Sequence, residues 1–240
     1  MAEGEIGYDT GMADRKVAVF DIDGTIFRSS LLIELVERLI DRGVFPQDAR
    51  IAYEDEWRRW LDRQGPYEDY IMKVVDLFGK QIKGVPYEEV ANIAGEVIEE
   101  QRFHTYRYTR DLVKELKAKG YYLLVISHSP KFIVDGFAYE MGFDKSYGTF
   151  YATGPSDNFT GEIDERDLIM NKAAVLTRAM RKEGLTLKGS VGVGDSEGDI
   201  PMLEMVETPI AFNPNQSLYT HAKRRGWKVI VERKDVIYEM

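Results

Sequence analysis

Cysteine is absent from the 240-residue sequence. Disulfides, thiolate catalysis and cysteine-ligated zinc or iron–sulfur sites are therefore excluded. Long apolar runs are absent too. Val17–Phe20 and Tyr121–Ile126 are the longest kind found, far short of the roughly 18 residues that span a bilayer. An excess of positive charge is also missing: 32 Lys+Arg stand against 41 Asp+Glu, a formal net charge of −9. Neutralising phosphates along a polymer needs clustered cations, so neither nucleic acid nor membrane is an expected partner. Residues 1–16 are polar and Gly-rich and lack the apolar segment of a secretory signal. Together with the missing cysteine this points to a cytoplasmic protein. What the chain does have is 44% hydrophobic residues, enough for a real core, and a length that suits one or two domains.

Residues 1–14 read as an unstructured leader. Val17-Ala18-Val19-Phe20 suits a strand covered on both faces, stopped by Asp21-Ile22-Asp23-Gly24-Thr25. Four amphipathic helices are expected next. Leu32, Leu35, Val36 and Leu39 face one, behind a cap at Ser29 or Ser30. Tyr53, Trp57, Trp60 and Leu61 face the second. Pro66 and Pro86 open the third and fourth, since Pro at the first helical position removes a donor that had no partner. From about residue 105 helices and strands alternate. Thr109 is expected to cap a helix faced by Leu112, Val113 and Leu116. Strands are expected at Tyr121–Ile126, Ser190–Gly194, Pro209–Phe212 and Lys228–Val231, with a hairpin around Gly154–Asn158. The expected architecture is α/β: a Rossmann-like parallel-sheet core, 15–27 plus 106–240, with a helical-bundle cap inserted at 28–105.

Ligands of open α/β sheets bind past the carboxyl ends of the strands. Four segments carry polar residues suited to that place. Asp21 and Asp23 follow the first strand, and Gly24 lets the backbone turn close to a ligand; Asp and Gly are also ordinary turn residues. Ser127-His128-Ser129-Pro130 ends the next strand. Ser129 and Pro130 can start a helix whose N-terminus suits an anion, or can be a simple cap. His128 titrates in the range of an acid/base, though a loop histidine is also commonly solvated. Lys172 falls on a helix face with Ile169 and Leu176, where it needs an anionic partner or must snorkel to the rim. Gly194-Asp195-Ser196-Glu197-Gly198-Asp199 brings two more carboxylates to a strand end. Four acids gathered there repel one another unless a cation sits among them, and oxygen ligands match Mg²⁺.

Asp21-x-Asp23-Gly24-Thr25, Ser127, Lys172 and Gly194-Asp195-Ser196-x-x-Asp199 resemble the four ordered motifs of the haloacid dehalogenase-like superfamily. The helical insertion after the first motif is similar to the cap of its phosphoserine phosphatase-like branch. The resemblance implies Asp21 as nucleophile and Asp23 as general acid, then base. It implies Mg²⁺ held by Asp21, the Asp23 carbonyl and Asp195, with Asp199 orienting the residues around it. Gly24, Thr25, Ser127, His128 and Lys172 are implied around the phosphoryl group. Dehalogenases of the superfamily lack the second Asp, so its presence implies phosphoryl chemistry. Two departures concern the substrate: Ser30 stands where phosphoserine phosphatases carry a Glu, and Gly198 where they carry an Asn.

The expected function is a Mg²⁺-dependent phosphatase for a small phosphorylated metabolite, acting through an aspartyl-phosphate, its cap hinged near Arg28 and His104–Tyr108. Arg58 and Arg59, beside Trp57 and Trp60, either reach the substrate or are solvated next to packed aromatics. Of two rivals, one keeps the site, a phosphotransferase or mutase, and the other keeps only the fold, a non-catalytic binding or regulatory protein.

Overall fold

The computed structural model describes residues 15–240; the expected leader at 1–14 lies outside the described residues. The alternation of β1 (Arg15–Phe20) buries both faces. Ala18 and Phe20 pack on one side of the sheet, Val17 and Val19 on the other, as a central parallel strand requires. β1 lies between β2 (Tyr122–Pro130) and β5 (Leu185–Gly194), parallel to both. The strand order is β4-β3-β2-β1-β5-β6-β7-β8. The other strands are β3 (Lys145–Thr153), β4 (Phe159–Asp164), β6 (Thr208–Phe212), β7 (Lys228–Arg233) and β8 (Val236–Glu239). The two edge strands, β4 and β8, pair antiparallel and the rest parallel. The expected α/β fold with a parallel central sheet is what forms.

The helices divide between the two faces. α1 (Leu31–Asp41), α3 (Tyr67–Gln81), α4 (Tyr87–Gln101), α5 (Arg107–Ala118) and α6 (Lys131–Met141) bury their apolar stripes against Phe20, Val125 and Val193. α7 (Arg166–Ile169), α8 (Lys172–Glu183), α9 (Ile200–Leu203) and α10 (Gln216–Arg225) cover the face of Val17, Val19 and Leu124. The helices between β1 and α5 therefore share one apolar cluster with the sheet. Each Leu or Phe buried there contributes about 1.5–3 kcal/mol. The segment's two ends are tied together: the Arg28 N–H donates to the His104 carbonyl and the Tyr106 N–H to the Ile26 carbonyl, both at 2.9 Å. Among the described residues no helix is long and apolar enough to cross a membrane.

Some local expectations change. Pro66, Pro86 and Pro130 sit one residue before their helices, with extended ψ of 155°, 136° and 135°. They act as the preceding caps rather than as first helical residues. α2 (Glu54–Leu61) buries none of its residues, and Trp57 and Leu61 are exposed. Its sequence is too charged to be covered, and only Trp60 turns inward, against Tyr67 and Tyr70. Ser30 does precede α1, but without a capping bond from its own side chain. The antiparallel β8 was not foreseen; it returns through Lys234, at φ 55°.

Thr109 is not a cap. It lies inside α5, fully buried, and its hydroxyl donates to the Thr25 carbonyl at 2.9 Å. This bond anchors the loop after Asp23 to α5. Thr109→Val keeps the volume but orphans that carbonyl, a loss of about 1–3 kcal/mol. Thermal unfolding is expected to show a lower Tm for Thr109→Val and a near-normal one for Thr109→Ser.

Candidate active site

Strand pairing continues one residue past β1: the Asp21 N–H donates to the Val193 carbonyl at 3.0 Å. Phe20 is in register with Val193, so Asp21 comes to lie beside the Gly194–Asp195 end of β5. Asp21, Asp195 and Asp199 each offer a carboxylate oxygen within 4.8 Å of the others. Parallel register thus brings Asp21 to Asp195, residues far apart in sequence.

Two glycines make the room these acids occupy. A Cβ on Gly24 would lie 2.2 Å from Asp195 Oδ2, and Gly24 also has φ +80°. A Cβ on Gly194 would lie 2.5 Å from the Asp199 carboxylate. The Gly24 N–H is taken by the Phe27 and Ser29 carbonyls at 3.0 and 3.2 Å. Its contribution to the site is therefore space and curvature.

Lys172 opens α8, whose cap is the Asn171 side chain. Its Nζ donates to Asp21 Oδ1 and Asp199 Oδ1, both at 2.6 Å, from a side chain only 4% exposed. Burial works against its charge, but Asp199 and Asp21 outweigh it and hold its pKa above the ordinary lysine range. The snorkelling reading is thereby excluded. Asp199 spends its other oxygen on the N–H groups of Asp195 and Ser196, at 3.0 and 3.1 Å. It is a brace between Lys172 and the loop after β5.

Asp23 is held by three donors. Its Oδ1 accepts from the Leu31 N–H at 2.6 Å, and its Oδ2 from the hydroxyls of Ser127 and Ser129 at 2.6 and 2.9 Å. The sequence reading treated Ser129 only as a cap. β2 runs on to Pro130, so 127 and 129 point to the same side, and that i, i+2 pair was the available signal. His128, between them, is exposed at the rim. The protein packed around its ring, then the Lys172 charge, shifts its pKa downward.

Two buried oxygens in this cluster have no hydrogen-bond partner: Asp21 Oδ2 and Thr25 Oγ1. Such groups are costly unless a ligand meets them. Burial, with the Asp199 and Asp23 charges, pushes Asp21 up to about 7 despite Lys172. Burial and then Asp21 and Asp199 raise Asp195 well above the usual carboxylate range. Asp21, Asp195 and Asp199, facing one ammonium, are residues that could hold a divalent cation through oxygen ligands. Two cavities of about 520 and 540 Å³ lie elsewhere, and none of these acids lines either.

A family model described as haloacid dehalogenase-like hydrolase matches residues 18–204. A histidinol-phosphatase of Neisseria meningitidis is 28% identical over 225 residues, 90% of this chain and 98% of that protein. A phosphoserine phosphatase of Archaeoglobus fulgidus is 26% identical over 212 residues, 88% of this chain and 56% of that protein. A protein of unknown function from Bordetella pertussis Tohama I has the same fold. Its TM-score is 0.74 at 23% identity, covering 90% of this chain and 98% of that one.

The raised carboxyls carry a stability consequence. Between the unfolded and folded pKa, the folded chain keeps protons that the unfolded chain releases, so stability falls as pH rises through that range. For Asp21 the window runs from 3.8 to about 7. Lys172 pairs with Asp21 and Asp199 rather than with Asp195, so Asp195→Asn relieves repulsion without stranding the ammonium. With chelator present, Asp195→Asn is expected to raise Tm at pH 8 by several degrees more than at pH 4.5, at roughly 2–4 °C per kcal/mol. Equal shifts at both pH values would contradict the repulsion.

Proposed function

This chain is a member of the haloacid dehalogenase-like hydrolase family, and we propose that within it the protein is a Mg²⁺-dependent phosphatase of small phosphomonoesters. One observation carries the reading: the buried, bare Asp21 Oδ2, whose partner oxygen is pinned by Lys172. A carboxylate so held has one oxygen fixed and the other free for bond formation.

Asp21 Oδ2 attacks phosphorus, the bond to the leaving oxygen breaks, and Asp23 supplies that oxygen with a proton. Asp23 then takes a proton from water, the water oxygen attacks phosphorus, and the Asp21 carboxylate is released with inorganic phosphate. The Leu31 N–H and the Ser127 and Ser129 hydroxyls fix the direction in which Asp23 delivers its proton. Thr25 Oγ1, which has no other partner, donates to a phosphoryl oxygen. Lys172 offsets the charge of the transferring group, and Ser127 and the His128 segment border the same space. Asp21 and Asp195 carboxylates and the Asp23 carbonyl would hold Mg²⁺, with Asp199 bracing the loop that carries Asp195. The ion, when bound, neutralises the clustered carboxylates and the phosphoryl oxygens.

Residues 28–105 serve in this reading as the cap, and the Arg28–His104 and Ile26–Tyr106 ties mark where it joins the core. Histidinol phosphate and phosphoserine, the substrates that the relatives' names state, are the first two to test. Ser30 in place of an acidic residue argues against phosphoserine's ammonium. The proposal includes a cytoplasmic setting, on the cysteine-free composition.

Asp21→Asn is expected to lower turnover of an aryl phosphate by at least about 1,000-fold while leaving the fold intact by circular dichroism. Wild-type-like turnover in this variant would remove the nucleophile from the account. Chelation with EDTA is expected to silence the enzyme and Mg²⁺ to restore it. Hydrolysis that persists at full rate in EDTA would refute the role of the acid cluster.

A further inference from the structure

The first turn of α5 has no cap of its own. Tyr106 precedes the helix without a side-chain bond to it, and the turn holds no acidic residue. The N–H groups at a helix start need partners from outside the helix. Two of them find one 125 and 124 residues away: the N–H groups of Arg107 and Tyr108 donate to Oε1 and Oε2 of Glu232, at 3.0 and 2.8 Å. A carboxylate in that place also opposes the positive end of the helix. The Arg107 guanidinium adds a bond to the Asp235 carbonyl at 3.0 Å, in the turn between β7 and β8.

The residues on either side of this grip hold the site. Tyr106 donates its N–H to the Ile26 carbonyl, and Thr109 its hydroxyl to the Thr25 carbonyl, both at 2.9 Å. In the run Tyr106–Thr109, the middle two residues are thus held by Glu232 and the outer two hold the loop after Asp23. Tyr106 and Tyr108 also pack on Phe212, the last residue of β6, at ring-centroid distances of 5.0 and 5.7 Å.

Glu232 is fixed to the other side of the site as well. Its N–H donates to Asn213 Oδ1, and the Asn213 N–H to the Ile230 carbonyl, both at 2.8 Å. Two residues on, the Asn215 N–H donates to the Asp195 carbonyl at 2.8 Å. The loop between β6 and α10 therefore joins Glu232 to Asp195, and α5 joins it to Thr25. The glutamate stands outside the acid cluster, yet it links two loops that must agree in position. Thr25 Oγ1, at the end of one of them, is buried without a partner.

We propose that Glu232 is a positioning residue: its carboxylate, by holding the start of α5, sets where the Thr25 loop stands relative to Asp195, and so where Thr25 Oγ1 meets the phosphoryl group. This rests on the phosphatase reading and adds a residue to its machinery. Glu232 acts through α5 and Thr25, and touches neither substrate nor reacting atoms.

The test is a double-mutant cycle on kcat/KM for an aryl phosphate with Mg²⁺. Glu232→Gln keeps the shape of the side chain but sets an amide NH₂ against one of the two helix N–H groups. It is expected to lower kcat/KM about tenfold, since a donor displaced by about 1 Å costs up to about 100-fold. Thr25→Val removes the donor itself and is expected to cost about 100-fold. In the double variant the Glu232 change is expected to add less than about twofold, because the group it positions is gone. A merely structural role would multiply the two losses instead. Rates are taken well below the Tm of each variant. Glu232→Asp, one carbon shorter with its charge kept, runs the same cycle if the Gln variant does not fold. An unchanged kcat/KM in the Glu232 variant, or a loss that persists in full in the Thr25→Val background, would overturn the proposal while leaving the phosphatase reading intact. Wild-type protein that hydrolyses no aryl phosphate with Mg²⁺ present would overturn both.

Discussion

Like charge packed into a dry space is the constraint on which this molecule is built. Asp21 and Asp199 are buried and Asp195 is half-buried beside them. One ammonium, Lys172, faces them. Taking such groups out of water is expensive, and a single pairing does not offset it. The raised Asp21 and Asp195 pKa values express that imbalance. A fold selected for stability alone would place apolar residues here. In the proposed reading a cation and a phosphoryl group complete the site and offset these charges.

The scaffold meets the constraint with local means. Parallel register aligns the ends of β1 and β5, so the acids converge without any long loop. Gly24 and Gly194 lack the one carbon that would fill the acids' space. Thr109 ties the loop after Asp23 to α5, and Asn171 caps the helix that presents Lys172. The helices between β1 and α5 complete the same apolar cluster as the sheet. Any closure of that segment over the site must therefore work around a shared core, and the single bridge between Phe27 and Thr105 ties the segment's two ends together.

The site was more legible than its surroundings. Asp21, Asp23, Lys172, Asp195 and Asp199 could be read because short motifs at strand ends carry their own geometry: a strand fixes direction, and a glycine marks the turn. Lys172 reads as buried from helical spacing with Ile169 and Leu176; it is buried, 4% exposed, but the helix breaks at Asn171, so Ile169 belongs to α7 and only Leu176 shares α8 with it. What depends on the opposite partner was not readable. Thr109 looked like a cap because threonine often is one, yet its true partner is Thr25, 84 residues away. Trp57 and Leu61 kept a helical apolar spacing but found nothing to cover them. The prolines marked the right places, displaced by one residue, since a residue with fixed φ can stand just before a helix as well as in it.

The most direct test of the central claim is anomalous diffraction from crystals grown with Mn²⁺ in place of Mg²⁺. The account predicts one strong peak with carboxylate oxygens of Asp21 and Asp195 among its ligands. No peak there at millimolar Mn²⁺, or a peak bound by other residues, would contradict it.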